Sequence, residues 1–192
     1  MPSREQALEL LGQWVDNPNL RAHMRSVEAA VQAYARRFGE DETEWGLAGL
    51  LHDLDWEKYP AEHPLRAADE LRARGYPDAI VHAILAHRAD FTGVEPESRL
   101  DRTLVACDEL TGLITATALV RPNGIDDLKP KSVKKKMKDP TFARGVDRDE
   151  VRKGTELLGI EMDEHIQNVI DAMRSVASEL GLTGEQVRAG AG

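Results

Sequence analysis

Apolar residues recur every three or four positions along the chain, which is the spacing of one face of an α-helix. Ser3 and Gln6 precede the first such stretch, and their spacing predicts a capping box. Later stretches run from Asn19 to Gly39, Thr43 to Leu54, Pro64 to Gly75, Pro77 to His87, Ser98 to Val120, Asp147 to Gly159 and Asp163 to Leu180. No stretch alternates with a period of two, so the sequence predicts an all-α fold without a sheet.

The order of these helices predicts one helical domain over residues 1–182, with a core at about 20–120 and additional C-terminal helices at about 147–180. Residues 121–145 separate the two parts. They are polar and rich in lysine, and prolines interrupt them, which predicts a loop with one short helix after Ser132. Residues 183–192 are predicted to form a frayed tail.

Charge and cysteine content narrow the possible functions. The chain has 25 Lys and Arg against 34 Asp and Glu, a net charge of -9, so we expect neither nucleic acid nor an anionic membrane as its general partner. Its apolar runs are too short to span a bilayer. With one cysteine, Cys107, the chain forms no internal disulfide, and we expect a packing role for that residue and a cytoplasmic location.

Several histidine and aspartate residues occupy positions where helices usually carry apolar side chains. His23 lies on the apolar stripe of its helix, His52 and Asp53 directly follow Leu-Ala-Gly-Leu-Leu, and Asp108 lies in the middle of an apolar helix. A hydrogen bond inside the core explains each residue taken alone. Together they favour a shared metal ion, because a buried carboxylate needs a compensating cation.

This pattern resembles the HD superfamily of metal-dependent phosphohydrolases. The matching residues are His23, the His52-Asp53 pair in Gly-Leu-Leu-His-Asp-Leu-Asp, and Asp108 in Ala-Cys-Asp-Glu-Leu, and the resemblance covers roughly residues 20 to 120. It implies a helical HD bundle in which these four residues bind one metal ion.

Members of this superfamily with two metals carry two further histidines between the His-Asp pair and the last Asp. His63 and His87 resemble those additions, and the resemblance then implies that Asp53 bridges the two ions. His82 competes with His87 for this role. We favour His87, because it shares a helix face with Ile80 and Ile84.

The resemblance implies a hydrolase that acts on a small phosphate ester or nucleotide-like substrate through a metal-activated water. Its cofactor would be one or two divalent ions of Fe, Mn, Zn or Co. The family often has Ile-Gly-Lys after the His-Asp pair, whereas this chain has Leu54, Asp55 and Trp56. Asp55 either orients a ligand histidine or is a solvated carboxylate at a helix end. Trp56, like Trp45, is expected to lie in the core.

A phosphate substrate also requires positive charge near the reacting group. Arg88 and Lys58 are candidates because they follow His87 and the His-Asp pair in sequence. Six lysines lie in residues 129–138, which form either a solvated helix face or a lid whose Lys129, Lys131 or Lys135 contacts substrate phosphate. Of these we favour Lys131. The predicted catalytic residues are therefore Asp53, Asp55, Arg88 and Lys131.

Two other functions fit the same ligand set. Some HD proteins with two metals are iron oxygenases, and a non-catalytic nucleotide-sensing or interaction domain is a third interpretation. The complete set of predicted ligands favours an enzyme over the third. The last long helix could cover either the core or a second subunit, so the sequence assigns no oligomeric state.

Overall fold

A computed structural model describes residues 1–190 and confirms the all-α prediction. Within those residues there are twelve helices and no strand. The helices are α1 Arg4–Trp14, α2 Pro18–Phe38, α3 Glu42–Leu51, α4 Leu65–Ala73, α5 Asp78–Ala86, α6 Ala89–Thr92, α7 Arg99–Leu119, α8 Pro130–Met137, α9 Arg148–Leu158, α10 Met162–Ser175, α11 Ala177–Leu180 and α12 Gly184–Gly190. None of these helices is both long and apolar enough to cross a membrane.

Side-chain caps mark the starts of α1, α2, α3 and α9. The capping box of Ser3 and Gln6 is confirmed, with both reciprocal hydrogen bonds present. The start of α2 was predicted two residues too late. Asn17 caps this helix by accepting a hydrogen bond from the Asn19 amide, and Pro18 occupies the first helical position, where its missing N–H costs no hydrogen bond.

The end of the chain differs from the predicted frayed tail. Residues 184–190 form α12, and residues 191–192 lie outside the described part. Thr183 and Gln186 form reciprocal hydrogen bonds at the start of α12, and the Gly184 amide donates to Asp126 at 3.0 Å. This helix is therefore capped and tied to a preceding loop of the same unit.

The chain divides into two compact units, Met1–Val105 and Ala106–Gly192, and the boundary falls within α7. The single domain over residues 1–182 stays a prediction. In the first unit, α2 packs against α3, and α3 and α4 pack against α5. In the second unit, α10 packs against α8, α9 and α11.

The contact between α2 and α3 is close because α3 has glycine at position 49. A Cβ atom there would lie 2.9 Å from the Cα atom of Glu28. Glu28 is itself buried, and its carboxylate accepts hydrogen bonds from Arg4 of α1 and from Arg25. This packing fixes the end of α3, from which the candidate site begins.

Candidate metal centre

The candidate site surrounds the carboxylate of Asp53. Helix α3 ends at Leu51, and His52 is its C-cap, so Asp53 is the first residue beyond the helix. Its side chain is 16% exposed. Leu50 and Leu51 at the end of α3 and Leu54 just beyond it are buried, and they place His52 and Asp53 against the core.

One oxygen of Asp53, Oδ1, faces two histidines from different parts of the chain. His63 Nε2 lies 3.3 Å away and His87 Nε2 lies 3.8 Å away. His63 precedes α4, and His87 is the C-cap of α5. The two Nε2 atoms are 3.0 Å apart. The three side chains form a group whose ligand atoms all lie within 4.8 Å of one another.

The other oxygen, Oδ2, faces a second pair of histidines. His52 Nε2 lies 3.5 Å from it and His23 Nε2 lies 3.7 Å from it. The imidazole rings of these two residues pack edge to face, with centroids 5.2 Å apart. The first unit thus brings together five of the six predicted metal ligands, with two imidazoles on each oxygen of Asp53.

The Nδ1 atoms of three of these histidines face hydrogen-bond acceptors. His63 Nδ1 donates to Asp55 Oδ1 at 2.7 Å, and His52 Nδ1 donates to the Gly49 carbonyl at 2.9 Å. His87 Nδ1 donates to the carbonyl of Ile84. A proton on Nδ1 leaves the lone pair on Nε2, which is the atom directed toward Asp53 in each case.

These residues fit a divalent metal ion. With protons on Nδ1, the Nε2 lone pairs of His63 and His87 face each other at 3.0 Å, an arrangement that needs a cation or a shared proton between them. Two donors that bind one ion at about 2.1 Å lie roughly 3.0–3.4 Å apart, which is close to the separations found here. Imidazole and carboxylate donors suit Fe, Mn, Zn or Co.

Asp55 is fully buried and orients a histidine of the site. Its Oδ1 accepts from His63 Nδ1, and its Oδ2 accepts from the Ala67 amide in α4 at 2.8 Å. Of the two interpretations of Asp55, the structure favours the one that orients a ligand histidine. The sequence contained only one signal for it, a carboxylate two residues after the His-Asp pair.

The predicted positive charges have other partners. Arg88 Nε lies 3.1 Å from Asp90 Oδ1, and this guanidinium holds the pKa of the Asp90 carboxyl below its usual range. Lys58 Nζ donates to the Gln13 carbonyl at 2.7 Å and lies over the ring of Trp14. Lys131 is exposed on α8, in the second unit.

His82, the competitor of His87, lies in a different environment. Its Nδ1 pairs with Asp101 Oδ2 at 3.0 Å, and its side chain is 41% exposed. Asp101 is buried, and its Oδ2 also accepts from the amides of Glu97 and Ser98 before α7. His82 therefore joins α5 to the start of α7, while His87 joins the group at Asp53.

Asp108 and Cys107 lie on α7 in the second unit, with Asp108 partly exposed. Cys107 is buried, and burial together with the charge of Asp108 raises the pKa of its thiol far above the usual value. This agrees with the expected packing role. His165, also in this unit, is buried and donates from Nε2 to the Ala106 carbonyl at 2.9 Å.

The tryptophans differ from the sequence expectation in one case. Trp45 lies in the core as predicted, but Trp56 is 43% exposed, so its predicted core position is wrong. Trp56 follows the buried Asp55 in a turn rather than a helix, and the polar sequence Trp-Glu-Lys-Tyr-Pro was the available sign of that turn.

Comparison with known protein families agrees with this geometry. Residues 20–113 match the HD domain family. This part of the chain is therefore an HD domain and belongs to the superfamily that the His-Asp pair indicated. No curated protein matches the chain.

Proposed function

We propose that this protein is a metal-dependent phosphohydrolase that acts on a small phosphate ester or nucleotide-like substrate. The observation that supports it best is the pairing of two imidazole nitrogens with each carboxylate oxygen of Asp53. A carboxylate surrounded in this way is suited to bridge two cations. The HD domain at residues 20–113 supports the same chemistry.

The proposed ligands fall into two sets that share Asp53. His63 and His87 would hold one ion with Oδ1, and His23 and His52 would hold the other with Oδ2. From the sequence resemblance we also propose Asp108 as a ligand of the second set. When bound, divalent ions of this kind lower the pKa of water and neutralise developing negative charge.

The residues around the ligands have distinct proposed roles. Asp55 holds the proton of His63 on Nδ1 and so keeps Nε2 available as a donor. Arg88 directly follows His87 and would counter the charge of the phosphoryl oxygens. Asp90 orients the Arg88 guanidinium through two contacts of 3.1 and 3.3 Å.

Turnover of bis(p-nitrophenyl) phosphate by protein loaded with manganese or cobalt tests the proposal. We expect Asp53→Asn to lower kcat by more than the ~10- to 100-fold typical of residues that only orient a ligand, because it removes the shared carboxylate. His82→Gln is the matched control. His82 lies on α5, the helix that His87 caps, but it pairs with Asp101. Equal activity in Asp53→Asn and the native protein would contradict the proposal.

Two other outcomes would also contradict it. Protein purified in air with two irons per chain, and with oxygen uptake on substrate, would identify an oxygenase. Nucleotide binding without turnover for any of the four metals would identify a sensing domain.

We further propose that Lys131 contacts substrate phosphate. Lys131 and Lys135 lie four residues apart on α8, and both are exposed. We expect Lys131→Ala to raise KM and to weaken the dependence of turnover on ionic strength. If Lys131→Ala and Lys135→Ala change neither quantity, α8 has no part in substrate binding.

A further inference from the structure

Trp56 is an exposed aromatic residue in direct contact with the candidate metal centre. Its indole packs edge to face against the imidazole of His63, with centroids 5.1 Å apart and an angle of 87° between the rings. His63 is buried, and its Nε2 is 3.3 Å from Asp53. Trp56 therefore covers His63, and 43% of its own surface remains exposed.

The backbone around Trp56 is held in place by several hydrogen bonds. The Trp56 amide donates to the Asp53 carbonyl at 3.1 Å, and the Tyr59 amide donates to the Asp55 carbonyl at 2.7 Å. The Glu57 carboxylate accepts from the amides of Asp16 and Asn17 at 2.9 and 3.0 Å. An aromatic surface on a fixed turn loses little conformational entropy when a ligand stacks on it.

A second large apolar side chain is exposed on the other side of His63 in sequence. Leu65 begins α4 and is 42% exposed. Contact with the His63 ring leaves Trp56 43% exposed, which is more surface than a residue that only covers His63 needs to expose. Trp56 thus combines exposed aromatic surface with direct contact to a histidine of the candidate metal centre.

We propose that Trp56 determines substrate specificity by stacking on a planar aromatic group of the phosphate ester, such as an aryl ring or a nucleobase. This inference rests on the proposed function, because the phosphate must occupy the metal centre for the ring to reach Trp56. Stacking of one aromatic group on a side chain corresponds to about a 5- to 150-fold change in affinity.

The test compares two inhibitors that share a phosphonate and differ in ring planarity, phenylphosphonate and cyclohexylphosphonate. Their inhibition constants are measured on manganese-loaded protein with bis(p-nitrophenyl) phosphate as substrate. We expect native protein to bind phenylphosphonate at least about 5-fold more tightly than the cyclohexyl compound. Trp56→Phe should keep this preference, while Trp56→Leu should abolish it although it retains an apolar side chain.

Metal content is measured for every variant, because Trp56 also contacts His63. A preference that is absent from native protein, or that persists in Trp56→Leu, would overturn the inference while the turnover of native protein still supports the proposed function. Absence of turnover in native protein would overturn both. A variant that loses metal while its ratio of inhibition constants is unchanged would show that Trp56 only covers His63.

Discussion

At the scale of single residues, the proposed metal binding depends on which nitrogen of each histidine carries the proton. Three of the four histidines around Asp53 donate from Nδ1 to a fixed oxygen, and two of these oxygens are backbone carbonyls. The third, on Asp55, is a buried carboxylate. An imidazole whose Nδ1–H donates to a carboxylate is a stronger metal ligand than one whose Nδ1–H donates to a carbonyl. Asp55 therefore strengthens His63 as a metal ligand.

The role of Asp55 predicts a specific effect on metal binding. Asp55→Asn places an amide where two acceptors are needed, because Oδ1 binds His63 and Oδ2 binds the Ala67 amide. We expect metal affinity, measured by competition with a chelator, to fall by about 10- to 100-fold. Asp69→Asn on the exposed side of α4 is the control and should leave affinity unchanged. Equal affinities in both variants would assign Asp55 no role at the metal.

The pKa of His165 predicts how stability depends on pH. Burial lowers the pKa of this imidazole from 6.5 to about 4, and its hydrogen bond to Ala106 opposes the shift only in part. Between these two values the unfolded chain binds the proton more strongly than the folded chain does. The contribution of neutral His165 to the free energy of unfolding is therefore fully present well above pH 6.5. It falls by about 1 kcal/mol per pH unit as the pH is lowered from 6.5 to about 4.

Urea unfolding at pH 7.5 and at pH 5 measures this effect. His165→Gln retains a donor for the Ala106 carbonyl but does not titrate. We therefore expect the variant to lose about 1–2 kcal/mol less stability than native protein when the pH is lowered. If both proteins lose the same amount, His165 is not buried in its neutral form.

At the scale of helices, the contact between α2 and α3 positions the site. Gly49 allows the close approach, and its carbonyl also accepts from His52 Nδ1. The same residue thus sets the distance between two helices and the orientation of a predicted ligand. A side chain at this position would push α3 away from α2 and would move His52 and Asp53 with it.

Gly49→Ala tests this dependence. An added Cβ would lie 2.9 Å from the backbone of Glu28, which cannot move aside as a flexible side chain could. We expect a loss of about 1–3 kcal/mol in the free energy of unfolding. Gly12→Ala in α1, where a Cβ would meet no atom within 4 Å, should instead raise stability by up to about 1 kcal/mol. Equal effects would mean that the helices are not in close contact.

The sequence predicted most of the helices because they depend on local patterns, and five of the residues it proposed as metal ligands lie together around Asp53. Capping residues such as Ser3 mark helix starts, and the His-Asp pair reveals itself by following an apolar run. The sequence did not predict α12, because this helix is held by a contact between residues far apart in sequence: the Gly184 amide donates to Asp126. The exposure of Trp56 was missed for the same reason, because it depends on how a turn packs against His63.

At the scale of the whole molecule, the chain carries a net charge of -9, and four imidazoles of its first unit surround the Asp53 carboxylate. Metal ions that bind this site in the folded state alone would stabilise the fold by linkage. Metal content and folding stability are therefore expected to change together.

Chelation provides the corresponding prediction. Removing metal from native protein should lower Tm, and adding manganese back should restore it, because metal at 100 times its Kd contributes about 2.7 kcal/mol. In Asp53→Asn, adding manganese should restore only a small part of the lost Tm. Identical melting curves with and without chelator would mean that the folded chain does not bind metal at Asp53.

Anomalous scattering from crystals of metal-loaded protein tests the central claim most directly. We predict two peaks beside Asp53, one about 2.1 Å from the Nε2 atoms of His63 and His87 and one at a similar distance from those of His23 and His52. A crystal of catalytically active protein with no peak at either carboxylate oxygen would contradict the account.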